Sequence, residues 1–198
     1  EHWTTKKTPD GDVRLFLWEK YVGVPEGKPA VLFVHGSSMA STPTFDLTVP
    51  GRPHSSVMDW FAERGFVCWC VDMEGYGRSD KSRDITCDIA NGADDLEAAT
   101  DHIFATRGVR SFATYGISSG ALRAALFAQR HPERVSRLAL DAFVWTGAGA
   151  PTLEQRRKKL PEFLATKRRP IDRAFVHAIF NPDHPDRADK ATAAAAPA

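Results

Sequence analysis

The sequence predicts an α/β protein: a mostly parallel sheet with helices on both faces, preceded by an antiparallel hairpin. Three observations predict it. Apolar runs of strand length at residues 30–34 and 66–71 are continuous rather than alternating, the pattern of strands buried on both faces, and residues 135–140 are another apolar strand. Segments with helical spacing lie between the strands, so the two alternate, which calls for right-handed crossovers and puts ligand-binding loops at the carboxyl ends of the strands. The N-terminal stretch alternates instead and is broken at Asp10-Gly11, as two strands joined by a tight turn would be.

Taken in order, residues 3–8 and 13–21 flank Pro9-Asp10-Gly11-Asp12, where glycine supplies the positive φ of the turn. Residues 23–29 form a loop, and the strand at 30–34 ends at His35-Gly36-Ser37-Ser38, followed by a Ser/Thr/Pro-rich loop to Pro53. Residues 56–64 fit a short helix with Val57, Trp60 and Phe61 on its apolar side and Gly65 as its stop. The strand at 66–71 leads into a polar, glycine-containing segment, residues 72–80. Residues 89–106 place Leu96, Ala99, Ile103 and Phe104 on one helical stripe before Gly108. Residues 111–115 suit a strand, and Ala121, Ala124, Ala125 and Ala128 recur at helical spacing until Arg130-His131-Pro132 stops the helix. The strand at 135–140 closes on Asp141.

After Trp145 no strand-like run recurs. Residues 153–164 form a helix with a basic face, and Ile171, Phe175, Val176, Ile179 and Phe180 recur at helical spacing. The basic runs Arg156-Arg157-Lys158-Lys159 and Lys167-Arg168-Arg169 are read as a solvated helix face. The domain organisation expected is a core at 1–146, a partial helical cap at 147–187 and an Ala-rich tail at 188–198 that frays.

Composition bounds the function. A formal net charge of +1 and 26% charged residues call for neither nucleic acid nor an anionic membrane as partner. No apolar run approaches spanning length. Cys68 and Cys70 alternate with Trp69 as small hydrophobes on one side of a buried strand, a geometry that disfavours a bridge and suggests a reducing, cytoplasmic compartment. The chain begins at Glu1, so an N-terminal piece removed beforehand would admit a periplasmic or secreted location. No phosphate loop, zinc motif or dinucleotide fingerprint is present, since Gly75-x-Gly77 lacks a third glycine and an opening helix, so no cofactor and no metal are expected.

The chemistry concentrates at Gly116-Ile117-Ser118-Ser119-Gly120, between a strand and a helix. A serine on so tight a turn sits in a strained backbone, and side chains at the flanking positions would collide with neighbouring backbone; glycine removes the collision. Ser118 also stands at a helix start, where the Ser119 N–H and the helix dipole face any oxyanion. The alternative is an ordinary Gly/Ser-rich βα turn. The stretches at 35–37 and 116–120 and the residues from Asp141 onward all fall at strand ends and converge on one site. Phe143 and Trp145, just beyond, line an acyl or aromatic pocket or pack in the core.

These pieces resemble the α/β-hydrolase fold family. The resemblance rests on His35-Gly36, Asp72-x-x-Gly75-x-Gly77-x-Ser79, the 116–120 motif and His131-Pro132-Glu133-Arg134-Val135, and it covers about residues 4–145. It implies nucleophilic attack by Ser118, a histidine as general base, an orienting acid, and an oxyanion hole formed by the N–H of Ser119 with that of Ser37 or Ser38. Serine at 118 argues against the dehalogenase and epoxide-hydrolase branches, and Glu74 stands where the family usually has a basic or bulky residue. Asp141 is the candidate acid, with loop capping as its alternative. No histidine has the family's context: His35 bonds backbone, His131 ends a helix, His177 lies on or beside an apolar helix face and His184 lies in a loop. In the family's strand order the last strand would be paired on one side only, its bare edge covered by further polypeptide, a second chain or a homo-oligomer. The reading favoured is an incomplete chain of an active carboxylesterase-type serine hydrolase with a small-molecule ester substrate. The alternatives are a carbon–carbon bond hydrolase or perhydrolase on the same fold, and an inactive hydrolase-like interaction protein.

Overall fold

A computed structural model describes residues 1–144, 146–169, 171–180 and 190–195. The chain forms β1 (His2–Thr8), β2 (Gly11–Lys20), β3 (Ala30–Val34), α1 (Ser41–Phe45), α2 (Val57–Ala62), β4 (Val67–Val71), α3 (Ile89–Arg107), β5 (Phe112–Ile117), α4 (Ser119–Arg130) and β6 (Val135–Asp141). Four helices follow: α5 (Pro151–Lys158), α6 (Leu160–Thr166), α7 (Arg173–Phe180) and α8 (Lys190–Ala195).

The six strands make one sheet in the order β1-β2-β4-β3-β5-β6. β1, β2 and β4 pair antiparallel, whereas β4, β3, β5 and β6 run parallel, so the mostly parallel sheet with an N-terminal hairpin is present. Thr8 pairs with Gly11, which makes Pro9 and Asp10 the turn and puts the positive φ of 119° on Gly11 at its exit. β3 and β4 are buried at every residue, as continuous apolar runs require.

Helices cover both faces of the sheet. On one, Ala93, Leu96, Ala99 and Ile103 of α3 and Ala124 and Phe127 of α4 pack on Leu15, Leu32, Val34, Trp69 and Phe112. On the other, Phe45 of α1 and Met58 and Ala62 of α2 pack on Val31, Phe33, Cys68 and Cys70. The two cysteines are free and share that face, as their i, i+2 spacing dictates. Removing a large buried side chain such as Leu96 would cost about 2–5 kcal/mol.

Several expectations are corrected. The segment read as loop before Pro53 contains α1. In α2 the buried residues are Met58 and Ala62, while Val57 (42%) and Trp60 (44%) are exposed. Phe61 is half-buried and packs against Met58 and Ala62 as expected, so the buried stripe is displaced from Val57 and Trp60 toward Met58, Phe61 and Ala62; the helix starts at Ser56, whose hydroxyl accepts from the Asp59 N–H. Phe104 is also exposed, because α3 packs on its Ala93–Leu96–Ala99–Ile103 stripe. The basic helix at 153–164 is two helices that meet at Lys159, ahead of Pro161. Of the tail, Lys190–Ala195 is helical and the rest lies outside the described residues. Among the described residues no helix is long and apolar enough to cross a membrane.

Candidate active site

β5 ends at Ile117 and α4 begins at Ser119, so Ser118 alone makes the turn. Its backbone sits at φ 58°, ψ −125°. For a residue with a Cβ this conformation costs about 1–3 kcal/mol, and it persists only because its surroundings over-determine it. The Ser118 N–H donates to the Asp141 carbonyl (2.9 Å), and the Ser118 carbonyl accepts from the Ala121 N–H (3.0 Å). Both flanking glycines are obligatory. A Cβ on Gly116 would stand 2.5 Å from the Gly120 carbonyl oxygen, and one on Gly120 would overlap the carbonyls of Val34 and His35.

The loop after β3 approaches this turn from the side. A Cβ on Gly36 would lie 3.0 Å from Ser118 Cβ and 3.5 Å from its hydroxyl, so the 35–38 loop touches the serine directly. The loop is anchored by His35, which is fully buried. The Met73 N–H donates to its Nε2 (3.1 Å), so the single ring proton is on Nδ1, which donates to the Gly36 carbonyl (2.7 Å). Burial, helped by the positive charge of Arg123, pulls the imidazole down to about 4 and keeps it neutral. Both nitrogens are committed, so His35 is structural, as its position beside Gly36 suggests. Ser37 is exposed and Ser38 half-buried. The N–H of Ser119 belongs to the first turn of α4, where helix donors lack intrahelical acceptors.

Asp141 is registered opposite Ile117, and its exposed carboxylate accepts from the Tyr115 hydroxyl at 2.5 Å. Burial and the adjacent carboxylate push that phenol up to about 12, so it remains a donor. Asp141 therefore meets the turn twice, through its carbonyl at Ser118 and its side chain at Tyr115. Phe143 is exposed (38%), and Trp145 lies outside the described residues.

Among the described residues no hydrogen bond joins the Ser118 hydroxyl to a histidine. His131 caps the far end of α4, where its ring packs on Phe127 and faces Glu97 and Glu133. With 12 residues in α4, that end is about 18 Å from Ser118. His54 is exposed beside Glu63, and His2 and His102 face one another between β1 and α3. His184 and the side chain of His177 lie outside what is described.

The segment after β4 buttresses the site from below. Asp72 Oδ1 accepts from the N–H and hydroxyl of Ser41 (2.8 and 2.5 Å), its Oδ2 from the Arg78 N–H (2.9 Å) and its carbonyl from the Ser79 hydroxyl (2.5 Å). A Cβ on Gly77 would overlap Asp72 Oδ2, which explains the Asp-x-x-Gly-x-Gly-x-Ser spacing as a carboxylate-wrapped turn. Glu74 is buried and held by Lys6 (2.9 Å) and bidentately by Arg83 (2.7 and 2.8 Å). Two site neighbours escape the sequence reading, Tyr115 and Arg123. Tyr115 could have been placed by strand alternation, two residues before Ile117. Arg123 shares a helical stripe with Gly120, Ala124 and Phe127, an inward position for a cation.

Comparison with known proteins agrees with this architecture. The family model described as alpha/beta hydrolase fold matches residues 29–176. The proline iminopeptidase of Neisseria meningitidis serogroup A is 26% identical over 185 residues, covering 87% of this chain and 54% of that protein. Among solved structures, a carboxylesterase of the ammonia-oxidising thaumarchaeon Nitrososphaera gargenis superposes with a TM-score of 0.67 at 13% identity, over 96% of this chain and 64% of its own. A thermophilic esterase of Thermogutta terrifontis gives 0.59 at 21% identity, over 82% and 52%. The chain thus spans about half the length of the curated relative it matches. With the family model covering most of the chain, and the Gly-x-Ser-x-Gly turn, the His-Gly loop and the sheet order all in place, the chain belongs to the alpha/beta hydrolase fold family.

Proposed function

We propose that this chain carries the nucleophile and oxyanion elements of a serine hydrolase that cleaves carboxylic esters through an acyl-enzyme on Ser118. The observation that carries the proposal is the strained Ser118 turn, for which Gly116 and Gly120 leave no room for a side chain and against which the 35–38 loop is packed. A strained, glycine-flanked serine has little use in a plain scaffold. In the reaction, Ser118 Oγ attacks the ester carbonyl and gives up its proton to a base. The N–H groups of Ser119 and of Ser37 or Ser38 hold the oxyanion, and the alcohol leaves with a proton. Water then attacks the acyl-enzyme and regenerates Ser118. Asp141 is the proposed acid, and Phe143 with Trp145 the proposed acyl-side wall. The base comes from outside the described side chains: from His177 or His184, from further polypeptide, or from a second chain.

The ester class is favoured by the two esterase neighbours, and the peptidase relative makes an amide the competing acyl donor. A panel of p-nitrophenyl esters and proline p-nitroanilide, with Ser118→Ala as the comparison, separates them. Ester turnover that falls at least about 10³-fold in the variant supports the reading; turnover equal in both proteins removes Ser118 from it. The second reading, an interaction protein on the same fold, is favoured by a Ser118 hydroxyl that no histidine among the described residues meets, and predicts a folded chain with no turnover of either class.

A further inference from the structure

Three successive carbonyls of the loop beside Ser118 are each held by a side-chain donor. Arg123 Nη1 donates to the His35 carbonyl (3.2 Å), His35 Nδ1 to the Gly36 carbonyl (2.7 Å) and the Tyr76 hydroxyl to the Ser37 carbonyl (3.3 Å). In a trans peptide the C=O and the following N–H point in opposite directions. Holding these three oxygens therefore sets the directions of the N–H groups of Gly36, Ser37 and Ser38, the group from which the second oxyanion donor is drawn.

The donors are themselves fixed. Arg123 is 3% exposed, and its stem fills the space over Gly92, where a Cβ would come 2.5 Å from Arg123 Cδ. Its Nε is buried without a hydrogen-bond partner, and among the described residues no carboxylate lies within ion-pair distance. Burying a guanidinium so poorly paired is costly, and among the described residues its one hydrogen bond goes to this loop. Tyr76 stands between the other two, its ring edge-on to His35 (4.7 Å between centroids) and 5.6 Å from the Arg123 guanidinium carbon.

We propose that Arg123 and Tyr76 are positioning residues that aim the backbone donors of the 35–38 loop at Ser118. Their role in catalysis rests on the serine-hydrolase reading; their hold on the loop does not. The test combines two measurements on the whole chain, Tyr76→Phe and Arg123→Met: backbone ¹⁵N order parameters at Gly36, Ser37 and Ser38, and the rate of Ser118 labelling by a fluorophosphonate. The parent amides are expected near 0.85 and those of the variants below about 0.6. Labelling at saturating probe is expected to slow about 10-fold or more, with the half-saturating concentration unchanged, because the loss falls on the transition state. Parent amides that are already mobile, or order parameters equal in parent and variants, overturn the proposal whatever the labelling does. A parent that is never labelled while its variants loosen the loop overturns the hydrolase reading and leaves the positioning role standing. Should Arg123→Met fail to fold, Tyr76→Phe, which removes only an exposed hydroxyl, decides alone.

Discussion

At the scale of single residues, the site is governed by where a Cβ cannot go and where a proton must stay. Gly120 lies against the Val34 and His35 carbonyls, so Gly120→Ala is expected to destabilise the fold by about 2–3 kcal/mol or more, read as a lower urea midpoint at unchanged slope. A variant as stable as the parent would mean that β3 and α4 are not in contact there. His35 makes a pH prediction. Its ordinary value of 6.5 is lowered to about 4 in the fold, so between those values the unfolded chain binds a proton that the native chain refuses. Stability therefore falls as the pH drops from about 6.5 towards 4. Imidazole ¹⁵N shifts at pH 6 should show a neutral ring protonated on Nδ1; a charged ring at that pH would contradict the burial and the hydrogen bonds described.

At the scale of elements, the hairpin is tied to the site by charge. Lys6 of β1 reaches Glu74 and Asp95 (2.9 and 2.6 Å), and Arg83 closes on Glu74 from the other side, joining β1, the loop after β4 and α3. Burial opposes ionisation of Glu74, but Arg83 and Lys6 outweigh it and hold the carboxyl down at about 2. Its contribution is therefore present above the ordinary value of 4.5 and is lost as the pH falls from there towards 2. Glu74→Gln is expected to lose roughly 1.5–3 kcal/mol at neutral pH and to flatten the acid limb of the stability curve in that window. An unchanged acid limb would show that the network is not holding the hairpin.

Legibility in the sequence follows the same division. Strands buried on both faces were readable because nothing but apolar residues fits them, and the 116–120 turn because its glycines are demanded by contact. The face of α2 was readable only in part: Phe61 was placed inward, but the apolar residues Val57, Met58, Trp60 and Ala62 on both sides leave the rest of the spacing ambiguous. The fate of Glu74 or Arg123 was not readable, since Lys6, which meets Glu74, and the His35 carbonyl, which meets Arg123, lie 68 and 88 residues away along the chain. The assignment of a base could not be read from spacing at all, because a histidine reaches a nucleophile through space and no local pattern marks it.

At the scale of the whole molecule, β6 is the outer strand among the described residues, paired there with β5 alone, and most of its residues are exposed, Leu138 at 39%. An edge of this kind pairs with other chains unless it is covered or charged. The chain on its own is expected to associate with rising concentration in sedimentation velocity, and Ala139→Lys is expected to reduce that association. A parent that stays monomeric at high micromolar concentration would show that the edge is already protected.

The turn at Ser118 is proposed to present an activated nucleophile. Its most direct measurement is reaction of the whole chain with a fluorophosphonate, followed by intact mass, beside Ser118→Ala. Rapid addition of one probe mass to the parent and none to the variant is the expected result, and it would show that a base reaches the serine. A folded parent that takes up no probe, or a variant labelled as fast as the parent, would contradict it.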